Sequence, residues 1–217
     1  MIDVLENQDN KTSKMLDNNQ VEENNENCCV NNSNNENVEI KVQQQFDYCE
    51  RNWRDLKEII QGDRLEILGR KLKDQAEMEK HLKVVKQQFK TIKDYIDFKV
   101  FKFPTQTISY TDEQGIELNR LITIRPENLE QKLVFRPNDF PYSCDKSISH
   151  WVLWCLKPLD HEDAKQLISK LTNREFSNDD NGFLFFINPF HLQSIKEISH
   201  YHVFIKNIDQ NQLEFSI

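Results

Sequence analysis

The chain has 217 residues, 29% of them charged, and a formal net charge of -8. That length suits one ordinary domain with an appendage. The acidic balance excludes a nucleic-acid binder that works by neutralising phosphates, because such proteins concentrate Lys and Arg on one face.

Residues 1–45 contain no aromatic side chain, and runs such as Asn31-Asn32-Ser33-Asn34-Asn35 offer too little apolar surface to offset the entropy of ordering. They are predicted to form a disordered, acidic, Asn-rich tail, with one domain over residues 46–217. Nine Asp and Glu against three Lys give the tail -6 of the formal -8 and leave the rest near -2. Asp3 and Glu6 stand where a signal peptide needs basic residues, and no apolar run approaches the roughly 18 residues of a membrane span. Cys28, Cys29, Cys49, Cys144 and Cys155 form no Cys-x-x-Cys pair, which fits a reducing compartment. The expectation is a cytoplasmic protein, with the nucleus left open and no membrane or nucleic-acid partner.

The first helix is predicted to open at Asn52, a capping residue type, with Asp55 at the third helical position and Trp53, Leu56, Ile59 and Ile60 on one face. Gln61-Gly62-Asp63 interrupts it, and residues 64–71 read as a second short helix with Leu65 and Leu68 inward. Arg70-Lys71-Leu72-Lys73 reads as a solvated basic face. Over residues 74–100, Met78, Leu82, Val85, Phe89, Ile92 and Ile96 recur at spacings of four and three, the stripe of one long amphipathic helix that Pro104 ends.

From Thr105 the period changes to two. Residues 107–110 and 118–124 read as a hairpin around Asp112-Glu113-Gln114-Gly115, and residues 132–135 add a strand. Residues 147–157 are predicted to be a strand buried on both faces, since Trp151-Val152-Leu153-Trp154-Cys155-Leu156 leaves no solvent side. Asp160 and Asp163 supply the cap and first-turn charge of a helix carrying Ala164, Leu167, Ile168 and Leu171. A loop at residues 178–182, a strand at 183–187, a turn at Asn188-Pro189 and a last strand at 200–206 follow. The fold class is α+β, a helical N-terminal half packed on a mainly antiparallel sheet.

The block Asn138-Asp139-Phe140-Pro141-Tyr142, followed by His150-Trp151-Val152-Leu153-Trp154 and Lys157, is similar to a motif of the domain-of-unknown-function family that includes N-acetylglucosamine-induced protein. The similarity continues in Phe186-Ile187-Asn188-Pro189, Gln193-Ser194-Ile195 and His200-Tyr201-His202-Val203, and it reaches Trp53, Leu56 and Arg70. It implies a small cytosolic protein with a link to amino-sugar response, and it brings no established catalytic residue, cofactor or ligand. The order of an aromatic-Pro-Tyr block, a His-led strand, a helix and Gln193-Ser194 ahead of His200-Tyr201-His202-Val203-Phe204 also resembles histidine-triad nucleotide hydrolases and transferases. That resemblance implies His202 as the nucleophile toward an α-phosphate and His200 as its orienting neighbour. Phe204 stands where that superfamily has a third His or a Gln, so binding without turnover fits the pattern as well as catalysis does.

His200 and His202 lie two apart on a strand, which turns both rings to one side, as two imidazoles must be to meet one phosphoryl group or one metal. The plainer reading is a hydrogen-bonded strand face. Asn138 and Asp139 suit sugar or ribose hydroxyls with Tyr142 as a stacking wall; the plainer reading is a turn in which both bond the local backbone. Asn188, Ser194 and His150 complete the candidate ligand set.

The expected function is the binding of a nucleotide or nucleotide sugar, and its enzymatic version would be a nucleotidyl transferase or hydrolase with a histidine nucleophile. One alternative is a non-enzymatic module that contacts a protein partner through the long helix or the acidic tail. Another is a divalent-metal site of His150, His200, His202 and Asp139. No motif calls for a cofactor, and His81, His161 and His191 read as ordinary surface or cap residues.

Overall fold

In the computed structural model, which describes residues 49–207 and the backbone of 215–216, the first helix, α1 (Trp53–Gln61), starts with a reciprocal cap. Asn52 Oδ1 accepts the Asp55 N–H at 3.0 Å and the Asp55 carboxylate accepts the Asn52 N–H, which satisfies two donors a helix start leaves open. The tail expected at residues 1–45 lies outside the described residues.

Residues 64–71 differ from the short helix expected of them. They hold one 3₁₀ turn, Leu65–Ile67, after which Leu68 is extended. The Gly69 carbonyl accepts the Ser143 N–H at 2.7 Å instead of a helical partner. Leu65 and Leu68 are buried all the same.

The single long helix expected over 74–100 is two helices, α2 (Leu72–Gln88) and α3 (Ile92–Lys99). Between them Phe89 is extended, the Lys90 N–H donates to the Leu121 carbonyl at 2.9 Å, and Thr91 Oγ1 caps α3 by accepting the Asp94 N–H at 3.0 Å. The apolar stripe runs across the break because both helices face the same core, so periodicity alone hides the new cap.

β1 (Thr105–Thr111) and β2 (Glu117–Thr123) form a separate antiparallel hairpin. A lone hairpin is marginal in water, and this one is tied to α3. Asp94 Oδ1 accepts the Thr123 N–H at 2.9 Å, and the fully buried Asp97 carboxylate takes Arg125 through two bonds of 2.6 and 2.8 Å.

The main sheet has the order β5 (Glu175–Phe176), β6 (Gly182–Phe186), β7 (Ser199–Lys206), β4 (Ile148–Cys155), β3 (Leu133–Pro137), β8 (Phe215–Ser216), antiparallel except between β5 and β6. All eight residues of β4 are buried, as an uninterrupted apolar run implies. On one face α4 (His161–Thr172), capped by Asp160, packs Ala164 and Ile168 against Trp151, Leu153, Tyr201 and Val203. On the other, α1 and the 3₁₀ segment cover Leu184, Phe186 and Phe204, while α3 and the residues after it cover Val134, Val152 and Trp154.

Candidate functional site

The histidines of β4 and β7 lie on the sheet face that the N-terminal helices cover. The register sets His202 opposite Val152, His200 opposite Trp154 and His150 opposite Phe204, so the three rings form a diagonal row between the two apolar clusters. Each is about 5% exposed.

Their hydrogen bonds fix their protons. The Tyr142 N–H donates to His150 Nδ1 at 2.9 Å, so the proton of a neutral His150 is on Nε2. That N–H faces His202 Nδ1 at 3.0 Å, which places the His202 proton on Nε2 in turn. Asn188 Nδ2 lies 3.1 Å from both His202 Nε2 and the Tyr142 hydroxyl. An amide's two ends exchange by a half-turn, and only the half-turned amide, with Oδ1 in that place, gives the His202 N–H an acceptor. The relay then runs Tyr142 N–H to His150 to His202 to Asn188, with the Tyr142 hydroxyl as a second donor to the same oxygen.

This chain is satisfied only when neutral. A proton on His202 Nδ1 would point at the His150 N–H, and one on His150 Nδ1 at the Tyr142 N–H. Burial, and next the Arg70 cation, holds His150 well below the usual imidazole value. Burial, then His150, His200 and Arg70, does the same for His202.

His200 is different. Its Nδ1–H donates to the Ile198 carbonyl at 2.8 Å, which leaves Nε2 as an acceptor without a partner among the described residues. The ring stacks on Trp154 at 4.9 Å, and burial lowers its proton affinity against the pull of the Ile198 carbonyl.

His200, His202, Asn138, Asp139 and Ser194 line one cavity of about 90 Å³, completed by Met78, Leu82, Ile92 and Ile96 from the helices and by Arg70, His81, Tyr95, Phe140 and Trp154. Ser194 is exposed at this cavity. Asp139 pairs with Lys99 at 2.9 Å and Arg136 at 3.3 Å. Asn138 Oδ1 accepts the Phe140 N–H at 3.0 Å, the turn anticipated as its plainer role.

The other three expected site residues are not in the cavity wall. His150 and Tyr142 border a second hollow of about 270 Å³, which Asn138 also lines, and Asn188 bonds His202 from behind. Tyr142 stacks on His202 at 5.3 Å and supports that ring.

Sequence reasoning missed two cavity residues. Arg70, read as part of a solvated face, is half-buried; its Nε donates to the Phe140 carbonyl at 2.7 Å and its guanidinium lies 4.9 Å over the Tyr142 ring. Burial lowers its proton affinity, with Tyr142 and Asp74 opposing. The ion pairs among the described residues do not include it. His81, read as a surface residue, contacts the Tyr95 hydroxyl through Nε2 at 2.9 Å. Its place on the α2 stripe was the available signal.

Among the described residues no group of three or more His, Cys, Asp or Glu is arranged to hold a metal ion, and no helix is long and apolar enough to cross a membrane. On the helices considered as a contact surface, Val84 and Phe98 are exposed.

The family model described as a protein of unknown function (DUF3605) matches residues 52–206. N-acetylglucosamine-induced protein 1 of Candida albicans is 25% identical over 177 residues, covering 72% of this chain and 68% of that protein. Among solved structures, the crystal structure of HTC1 aligns with a TM-score of 0.44 at 19% identity, over 71% of this chain and 84% of that one. The histidine-triad resemblance rests on the order of sequence elements alone. The family match runs from the α1 cap to the end of β7 and takes in both the imidazole relay and the cavity, and the chain belongs to the DUF3605 family of proteins of unknown function.

Proposed function

We propose that the protein binds a small anionic ligand of the nucleotide or nucleotide-sugar class in the cavity between α2, α3 and the sheet, and holds it without turnover. The observation that carries this reading is the convergence of His200, His202, Asn138, Asp139 and Ser194 on one cavity with Arg70, a half-buried cation outside every ion pair of the described residues. A guanidinium in such a place gains most from an oxyanion, because buried charge is costly until it is paired.

Size limits what enters. About 90 Å³ is below the roughly 300–1,000 Å³ of pockets that enclose a drug-sized ligand. The cavity suits one end of the ligand, a phosphoryl group or a sugar ring, with the remainder along the mouth near Ser194.

Binding is preferred to catalysis by His202, the expected nucleophile, because a nucleophile needs a free lone pair and both ring nitrogens of His202 are engaged by His150 and Asn188. Calorimetric titration against uridine and adenine nucleotides and their sugar conjugates, with and without divalent metal, tests the reading. Saturable binding that Arg70→Met weakens is the expected result. No binding, or equal binding by Arg70→Met, would remove it, and release of a cleaved product would replace it with the histidine-nucleophile reading.

A further inference from the structure

We infer that the enclosed part of the ligand is a singly charged oxyanion with a hydroxyl beside it, a carboxylate or a diesterified phosphate, in preference to a terminal phosphate dianion. This rests on the binding proposed above and concerns which chemistry the cavity selects.

The polar groups of the cavity are mostly engaged by one another. His81 meets Tyr95, Asp139 holds Lys99 and Arg136, and Asn138 Oδ1 holds the Phe140 N–H. Inside the cavity three groups stay open, and the Ser194 hydroxyl is exposed at its mouth. Arg70 brings one positive charge. Asn138 Nδ2, 3.4 Å from a His150 nitrogen that is itself a donor, is a neutral donor without an acceptor there. His200 Nε2, on a ring 5% exposed, is a lone pair held outward by the bond of Nδ1–H to Ile198.

That set is one cation, one neutral donor and one acceptor. Arg70 and Asn138 suit an oxyanion of one charge. The His200 lone pair repels a second anionic oxygen and attracts a hydroxyl or N–H. A dianion needs another cation, and the relay withholds it: a proton added to His202 Nδ1 meets the His150 N–H. Burial also works against protonating His200.

Small paired probes separate these features at pH 8, where phosphate monoesters are dianions given a second pKa near 6. Glycolate and acetate share one charge and differ by a hydroxyl. Uridine diphosphate glucose carries only singly charged phosphates, whereas uridine diphosphate ends in a dianion. NMR titration of the full chain, read at the His200 imidazole nitrogens, should show glycolate ahead of acetate by roughly three- to tenfold, the worth of one hydrogen bond. It should also show the diphosphate sugar, or glycolate, ahead of uridine diphosphate and inorganic phosphate. Which of the two singly charged probes binds more tightly tells carboxylate from phosphodiester. In His200→Phe, read at the Arg70 guanidinium, the preference for glycolate over acetate should vanish.

Inorganic phosphate or uridine diphosphate binding as tightly as the singly charged probes overturns the inference and leaves the binding reading standing. So does glycolate binding no better than acetate. If no probe binds, both fall together. All the deciding comparisons use the unmutated protein, so they hold even if His200→Phe does not fold.

Discussion

β4 and β7 present two faces that the same residues build in alternation, and the faces differ in kind. Toward α4 stand Trp151, Leu153, Cys155, Tyr201, Val203 and Ile205, an apolar layer whose buried phenol donates to the Leu159 carbonyl at 2.9 Å. Toward the N-terminal helices the same strands set His150, His202 and His200 among Val152, Trp154 and Phe204. Apolar burial on the first face is non-directional and tolerates imperfect partners. The second face is affordable because the imidazole relay matches most of its buried polar atoms to partners, so its composition is constrained by hydrogen-bond polarity. Stability should therefore reside mainly on the α4 face, and sensitivity to protons and ligands on the other.

The sharpest break of that comparison is Trp151→Ala. The ring is 1% exposed and stacks on Phe135 at 5.0 Å, and emptying such a site costs about 3–5 kcal/mol. Trp154→Ala, on the opposite face of the same strand and bordering the cavity, should cost less, because the removed ring already faces open space on one side. Trp53 is the exception on the helix side, buried with Leu184, Phe186 and Phe204 and outside the cavity lining, and belongs with the larger losses. Urea unfolding of the three variants checks the order; equal, small losses at Trp151 and Trp154 would mean that neither face is the structural one.

Acid should act through the polar face. His150 and His202 stay unprotonated when folded, yet take up protons near pH 6.5 when the chain unfolds. Their contribution is complete above that value and is lost as pH falls below it toward the folded values, since the unfolded chain then binds more protons. Each histidine adds a slope approaching about 1.4 kcal/mol per pH unit in that window. Unfolding free energies at pH 7.5, 6 and 5 measure it, and a flat profile would show the rings are protonated or solvated in the fold.

Removing the end of the relay should cost somewhat less. Asn188→Ala leaves the His202 N–H and the Tyr142 hydroxyl without their acceptor, a loss of about 1–3 kcal/mol. The relay also predicts tautomers directly: nitrogen–proton correlation spectra at pH 7 should show protons on Nε2 of His150 and His202 and on Nδ1 of His200. A proton on Nδ1 of His202 would reverse the relay and with it the assignment of His200 as the open acceptor.

What could be read in advance follows from how local each determinant is. The Asn52 cap and the buried run of β4 are written within a few residues, and the alternation of β7 places His200 and His202 on one face without any knowledge of the rest. The division of α2 from α3 is not local, because the extended Phe89 and Lys90 are held by Leu121 in β2. The meeting of His150 with His202 depends on the pairing register of strands 52 residues apart in that contact. Arg70 and His81 carried only weak signals for a related reason: a cation in a basic run and an imidazole on a helix stripe become cavity residues only once the sheet lies beneath them.

The smallest expected effect on stability is at Ser194, and it separates the two kinds of face most cleanly. Ser194 borders the cavity and is exposed, and no hydrogen bond of its hydroxyl joins it to the relay among the described residues. Ser194→Ala should therefore change unfolding free energy by no more than about 0.5 kcal/mol, as surface substitutions away from caps and networks do. If the cavity takes an anion, the lost hydroxyl should still weaken its binding by roughly threefold to tenfold, the worth of one hydrogen bond. Stability and binding would then part at a single residue, which a merely structural face does not allow. A Ser194→Ala protein unchanged in both respects would place the ligand deeper, on Arg70, Asn138 and His200 alone, whereas a large loss of stability would show that the segment before β7 is part of the core.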